Sequence, residues 1–155
     1  MKALLTLIFL AFSTISYSDQ NSPELDILFE DLYNVQDITQ QNKIVSNIWS
    51  EWMKIDNPES QKIMDMVPYF FQTRNYDEAI EALSYVIEQE PNFSEAYNKR
   101  ATFYFMMGDF ENSMKDIETT LSLEPRHFGA LDGMSRILMS YKKYKQAFQV
   151  YEEMM

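Results

Sequence analysis

The sequence predicts an all-α fold of stacked antiparallel helix pairs, and three observations carry that prediction. Apolar residues recur at three- and four-residue intervals, as in Ala96, Tyr97, Ala101, Tyr104 and Phe105, which is the stripe of a helix with one buried face. No run shows the strict alternation of a half-buried strand. A 34-residue echo relates Pro91 to Pro125 and links Ile63, Tyr97 and Leu131; Val67, Ala101 and Ser135; Tyr76, Phe110 and Tyr144; and Ala79, Ser113 and Ala147. Residue size held in several columns at one period marks a supersecondary unit that buries its apolar face against its neighbours.

The elements follow in chain order. Residues 1–18 have the layout of a secretory signal peptide: Lys2, the apolar run Ala3–Phe12, then a short polar segment ending in small residues at Ser16 and Ser18. That run is too short to span a bilayer as a permanent anchor. The reading implies cleavage near Ser18, no stable membrane insertion afterwards, and a periplasmic or secreted mature chain. Residues 19–58 read as a worn helical pair, Leu25–Val35 and Gln40–Lys54, capping the array. Trp49 and Trp52 share a face there and are expected to pack on the first full repeat. Three units follow at 59–92, 93–126 and 127–155, the last cut short.

In the middle unit the helical stripe ends at Gly108, which can take the left-handed conformation favoured after a helix. Asp109 is placed to cap the next helix, Phe110 to about Leu123, and Pro125 closes the unit. Ala101 and Ser113 are small where two helices would cross, while Tyr97, Tyr104, Phe110 and Ile117 are large around them. Pro68 falls inside the first helix of its unit, where its ring removes a backbone bond. Either that helix is kinked there or it starts near Pro68.

At Tyr97, Ala101, Tyr104, Gly108, Phe110, Ser113 and Pro125 the sequence resembles the tetratricopeptide-repeat family, with Ser113 where the motif has Ala. The flanking units match at Ile63, Val67, Phe70, Tyr76, Ala79, Leu83 and Pro91, and at Leu131, Ser135, Leu138, Tyr144, Ala147 and Tyr151. The resemblance implies a right-handed α-solenoid in which the first helix of each pair lines a concave groove. Within the family, the run from Glu95 to Leu131, with LDILFEDL and IWSEW upstream, looks like a group of exported bacterial members. The groove positions it implies are Met64, Pro68, Phe71 and Gln72 in the first repeat, Glu95, Asn98, Thr102, Phe105 and Met106 in the second, and Asp132, Arg136, Met139 and Ser140 in the third. A subgroup that clamps a terminal carboxylate with Lys and Asn has no counterpart here, because Met64, Pro68, Gly129 and Gly133 occupy corresponding positions. Phe71, Phe105 and Met139 suit either the groove or the core between repeats.

Composition narrows the function further. The 155-residue chain carries 13 basic and 24 acidic side chains, a formal charge of −11, no Cys and one His. An acid excess argues against nucleic acid, whose phosphates require a basic patch. With no thiolate and a single His, neither a metal centre nor a cofactor is expected. His127, in the turn PRHFG, invites a catalytic reading with Asp132 as its orienting carboxylate, but no nucleophile motif accompanies it and no enzyme activity is expected. The expectation is an interaction scaffold that binds a peptide or helix of a protein partner. The alternative is a self-associating assembly protein, a homodimer for instance, using Phe148, Val150, Met154 and Met155 at an uncapped C-terminal end.

Overall fold

The computed structural model describes residues 22–153 and consists there of eight α-helices without a strand. They are α1 (Pro23–Asn34), α2 (Ile38–Trp52), α3 (Pro58–Thr73), α4 (Tyr76–Gln89), α5 (Ser94–Met107), α6 (Phe110–Leu123), α7 (Phe128–Ser140) and α8 (Tyr144–Glu153). The segment read as a signal peptide, and Met154 and Met155, lie outside the described residues.

Each helix begins where local chemistry permits it. Pro23 and Pro58 occupy first-turn positions, where a missing N–H costs nothing. Asp37, Asn57 and Asp109 accept backbone N–H groups from the first turns of α2, α3 and α6. The caps place α1 and α2 slightly earlier than the hydrophobic pattern alone suggests. α3 runs unbroken through Pro68, which lies exposed in its interior, so the helix does not start there.

The three full pairs close in the same way. Asn75 N–H donates to the carbonyl of Phe70, Asp109 N–H to Tyr104 and Lys143 N–H to Leu138. Each is the long backbone bond that ends a helix through a left-handed residue. That residue is Gly108 at φ 79° in the middle pair, but Arg74 at φ 58° and Lys142 at φ 59° in the others. The repeat therefore imposes one backbone shape on three side chains, two of which tolerate it poorly.

At the crossings, small residues meet backbone. Ser113 Oγ donates to the carbonyl of Ala101 at 2.8 Å, and Ser135 Oγ donates to that of Ala147 at 3.2 Å. Each of these crossings thus pairs one Ala with one Ser, in opposite order, and the hydroxyl that departs from the Ala pattern satisfies itself on the facing helix. Successive pairs are joined by Arg100. It holds Asp116 of α6 through two bonds of 2.8 Å and also donates to Ser84 of α4.

The apolar interior is divided. One cluster joins α3, α4 and α5 through Met64, Val67, Phe70, Ala79, Leu83, Val86, Phe93, Ala96 and Phe103, and a second joins α5, α6 and α7 through Ala101, Ile117, Ala130 and Ile137. A third belongs to the N-terminal pair: Leu25, Ile48 and Trp52, with Leu28, Phe29 and Trp49 around them and Phe128 reached from far along the chain.

Replacing Gly108 by Ala should cost about 1–2 kcal/mol from conformation alone, since nothing stands within 4 Å of the added Cβ. Arg74→Gly and Lys142→Gly should each stabilise by roughly 0.5–1 kcal/mol, the relief of φ strain being partly offset by glycine's entropy. Urea midpoints of the three variants measure this directly, and opposite signs for Gly108→Ala and the two Gly variants are expected.

Candidate functional site

The wall made by α3, α5 and α7 divides into a covered half and an open half. Positions near the N-terminal ends of these helices are covered. Met64 and Glu95 are fully buried, Asn98 is 5% exposed, and Gly129 lies against Trp49. Sequence reasoning put Met64, Glu95 and Asn98 on the open groove; the structure buries Met64 and Glu95, whereas Asn98, though little exposed, still lines the cleft between α5 and α7.

Met64 is buried in the core between α3, α4 and α5, whereas over Glu95 and Gly129 the cover is the N-terminal pair itself. α2 makes no extended contact along α3, its neighbour in sequence. Instead Trp52 stacks on the imidazole of His127, ring centroids 4.1 Å apart and planes within 13°, and Trp49 meets His127 and Phe128 edge-on at 5.6 and 5.1 Å. The expectation that Trp49 and Trp52 pack on the first repeat is therefore corrected: they dock at the start of the third. Met53 and Ile55, in the connection to α3, are what touch the first repeat's core. The reason is steric as well as aromatic. Gly129 has no side chain, and a Cβ there would stand 2.6 Å from Trp49 Cη2. Arg126 completes the joint: it donates to Asp26 of α1 at 2.7 Å, lies 4.3 Å over the Phe29 ring, and is held in place by Glu124.

A polar node lies beneath the tryptophans. The backbone N–H of Ala130 donates to His127 Nδ1, capping α7. Nδ1 is therefore the unprotonated nitrogen, and Nε2–H donates to Glu95 Oε2 at 2.9 Å. Asn98 donates to the same oxygen at 2.8 Å, and Lys99 Nζ pairs with Glu95 Oε1 at 2.6 Å while lying 5.0 Å over the Trp49 ring. Burial alone would raise the Glu95 carboxyl pKa, but the His127 hydrogen bond and the Lys99 charge outweigh it and hold the group below its ordinary value. This arrangement serves geometry. Both ring nitrogens of His127 are engaged and the ring is fully buried, while Asp132 pairs with Arg136 and not with His127. Among the described residues no cluster of His, Asp and Glu is placed to hold a metal ion.

The other half of the wall is open. Thr102, Met106, Gln72, Arg136 and Met139 are exposed, and Phe105 and Asp132 are half-buried. Between α5 and α7 a cleft of about 250 Å³ is lined by Thr102, Phe105, Gly133 and Arg136. Gly133 keeps it deep, because a Cβ there would approach Ile117 Cδ1 to 3.1 Å. Asp132 fixes Arg136 Nε at 2.6 Å, presenting the guanidinium at the rim. Phe71 is drawn away from this wall, stacking on Phe103 at 4.3 Å. Phe105 packs on Phe110 with one edge and lines the cleft with another. On α8, Phe148 is 63% exposed but Val150 is buried, so Val150 drops out of the proposed association face.

Three stacked helix pairs with small residues at their crossings and first helices on one wall define a tetratricopeptide-repeat solenoid. Residues 94–127 match the tetratricopeptide repeat family, and the chain is a tetratricopeptide-repeat protein. It is 35% identical over 121 residues to a TPR repeat-containing protein of Rhizobium etli, covering 78% of this chain and 59% of that one. It is 31% identical over 84 residues to Hsp70-Hsp90 organizing protein 3 of Arabidopsis thaliana, covering 54% of this chain but 15% of that protein. The chain thus spans little more than half of the first relative and a small part of the second. Among solved structures the fold is similar to MamA, with TM-score 0.58 and 18% identity over 83% of this chain and 81% of that one. It is also similar to the TPR2AB domain of yeast Sti1 in complex with pHSP90, with TM-score 0.60 and 12% identity over 84% and 52% of the respective chains.

Replacing Glu95 by Gln should destabilise the protein by about 2 kcal/mol or more at neutral pH, because Lys99 loses its charge partner in a half-dry site. A carboxyl held below its ordinary value of 4.5 contributes fully above that pH and loses its contribution as pH falls from there. The gap between wild type and Glu95→Gln in denaturant titrations should therefore narrow steadily below about pH 4.5.

Proposed function

We propose that the chain is an exported protein-interaction scaffold that holds an extended peptide or helix of a protein partner in the open half of its concave wall. The observation that carries this is the cleft between α5 and α7: apolar at Phe105, floored by Gly133, with Arg136 fixed at the rim by Asp132. A mixed surface of this kind suits a peptide, with apolar contact giving affinity and the guanidinium giving orientation. Met106 and Met139 are exposed on the same two helices, with side chains that adapt to irregular partners. The similarity to an Hsp70-Hsp90 organizing protein and to the Sti1–pHSP90 complex supports a peptide-holding role for this wall. Export rests on the apolar run Ala3–Phe12 and the small residues at Ser16 and Ser18.

The test places the photo-crosslinker benzoylphenylalanine at position 102, in the cleft, or at position 81, an exposed site on α4. A discrete crosslinked protein is expected from position 102 only, with its yield falling several-fold when Arg136→Ala is added. Equal crosslinking from both positions would sink the reading. Recovery of the chain from the periplasm or medium, shortened by the mass of residues 1–18, checks the export component.

One observation favours self-association as a second reading. Tyr144, Phe148 and Tyr151 form a stripe along α8 and are 63%, 63% and 50% exposed. If that stripe joins two copies, sedimentation velocity should show a concentration-dependent dimer that Phe148→Lys abolishes.

A further inference from the structure

We propose that the covered half of the concave wall is a second binding site, for an amphipathic helix presenting two aromatic side chains three residues apart. α2 fills this site in cis until a partner helix of that chemistry displaces it. The site adjoins the open cleft, sharing the Gly129 backbone with it, and stands whether or not a peptide lies there.

The receiving surface is shaped for such a helix. The His127 ring offers a flat face to one aromatic, Phe128 and the Lys99 ammonium flank the other, and the bare Gly129 backbone admits it. Nothing in the repeat pattern requires this. An ordinary preceding repeat would lie along α3, whereas the tryptophans of α2 reach Lys99 of α5, about 50 residues further along the chain, and His127 and Phe128 at the start of α7, about 75 to 80 residues further along.

The N-terminal pair is also attached as a ligand would be. It has a core of its own in Leu25 and Ile48 beside Trp52, and it is tethered to α3 only by residues 53–57. Beyond Met53 and Ile55 of the tether, it meets the array through two tryptophans, two cation–ring contacts and one exposed ion pair, Arg126–Asp26. Trp52 Nε1 is buried without an acceptor among the described residues, a cost that the closed joint carries. The groups it covers are charged: Glu95, Lys99 and Arg126 recover hydration when the pair lifts, so opening exposes a polar surface and not a bare core.

The probe is a peptide of residues 38–54, kept helical by a staple through positions 43 and 47, both exposed. It is titrated against the full chain and against Asp26→Arg/Phe29→Ala, which weakens the latch without altering the receiving surface. A site closed by its own helix binds a competitor with an affinity reduced by the open fraction. The latch variant should therefore bind the peptide at least about tenfold more tightly than wild type. Gly129→Leu, a helix-compatible change that fills the site, should bind it in neither background. Trp49 and Trp52 are the only tryptophans, so opening also reads out as a red shift in the latch variant's emission. A peptide that binds neither protein, or both equally, overturns the proposal. So does a latch variant that instead forms a dimer by exchanging its N-terminal pair, since the occupant would then be a second copy. Helical content of each variant, read by circular dichroism, separates local release from unfolding.

Discussion

The Glu95–His127 hydrogen bond is the constraint on which the rest of this structure depends. It joins the first turn of α5 to the residue that caps α7, adding a buried polar tie to the direct packing of these two first helices. Because Nδ1 is committed to the cap, Nε2 must carry the proton and must face the carboxylate. The imidazole plane is then fixed, and its face is turned outward to Trp52. One bond thereby fixes the platform on which the N-terminal pair rests.

That platform explains an inversion of roles along the wall. In a repeat array the first helices ordinarily share one surface, continuous from end to end. Here Trp49 and Trp52 take the half near the helix N-termini, and what remains open is the half near Thr102, Phe105 and Arg136. Gly129 and Gly133, one helical turn apart on α7, both line the open cleft, and Gly129 also faces the covered half. The first makes room for an indole, and the second deepens the cleft over Ile117. Both look like missing groove side chains in the sequence; both are space.

The helices, the pairing and the repeat boundaries were legible because they rest on local rules: period 3.6, small residues at crossings, caps and a fixed repeat length. Even the departures were consistent, since Ser113 and Ser135 keep the small column and satisfy their hydroxyls on the facing backbone. What the repeat pattern could not reveal was the docking of α1 and α2. A repeat template assigns Glu95 to the groove by register, and register says nothing about a segment that folds back over it. The clues were present but nonlocal. A lone His in a turn, two Trp three residues apart and a glycine at a groove position belong to one site, and no spacing rule connects residue 49 to residue 129. Val150 failed for a simpler reason: helix period alone places it near the exposed stripe, and its burial follows from the packing of α8 on α7.

The chemistry of the covered half bears on why it is built this way. A permanent interface between two helical units gains most from apolar contact, and a buried ion pair seldom improves on a well-packed hydrocarbon of the same size. This joint nevertheless places a carboxylate, an ammonium and an imidazole under the indoles, with a guanidinium at its edge. Those groups add little to the net strength of docking, because they are well solvated when the joint is open. They do add direction: the stacked ring, the cation over Trp49 and the Asp26 pair each tolerate only one placement of the incoming helix. A contact selected for strength alone would have no need of them, whereas one that must form, release and re-form in a single register gains from every one.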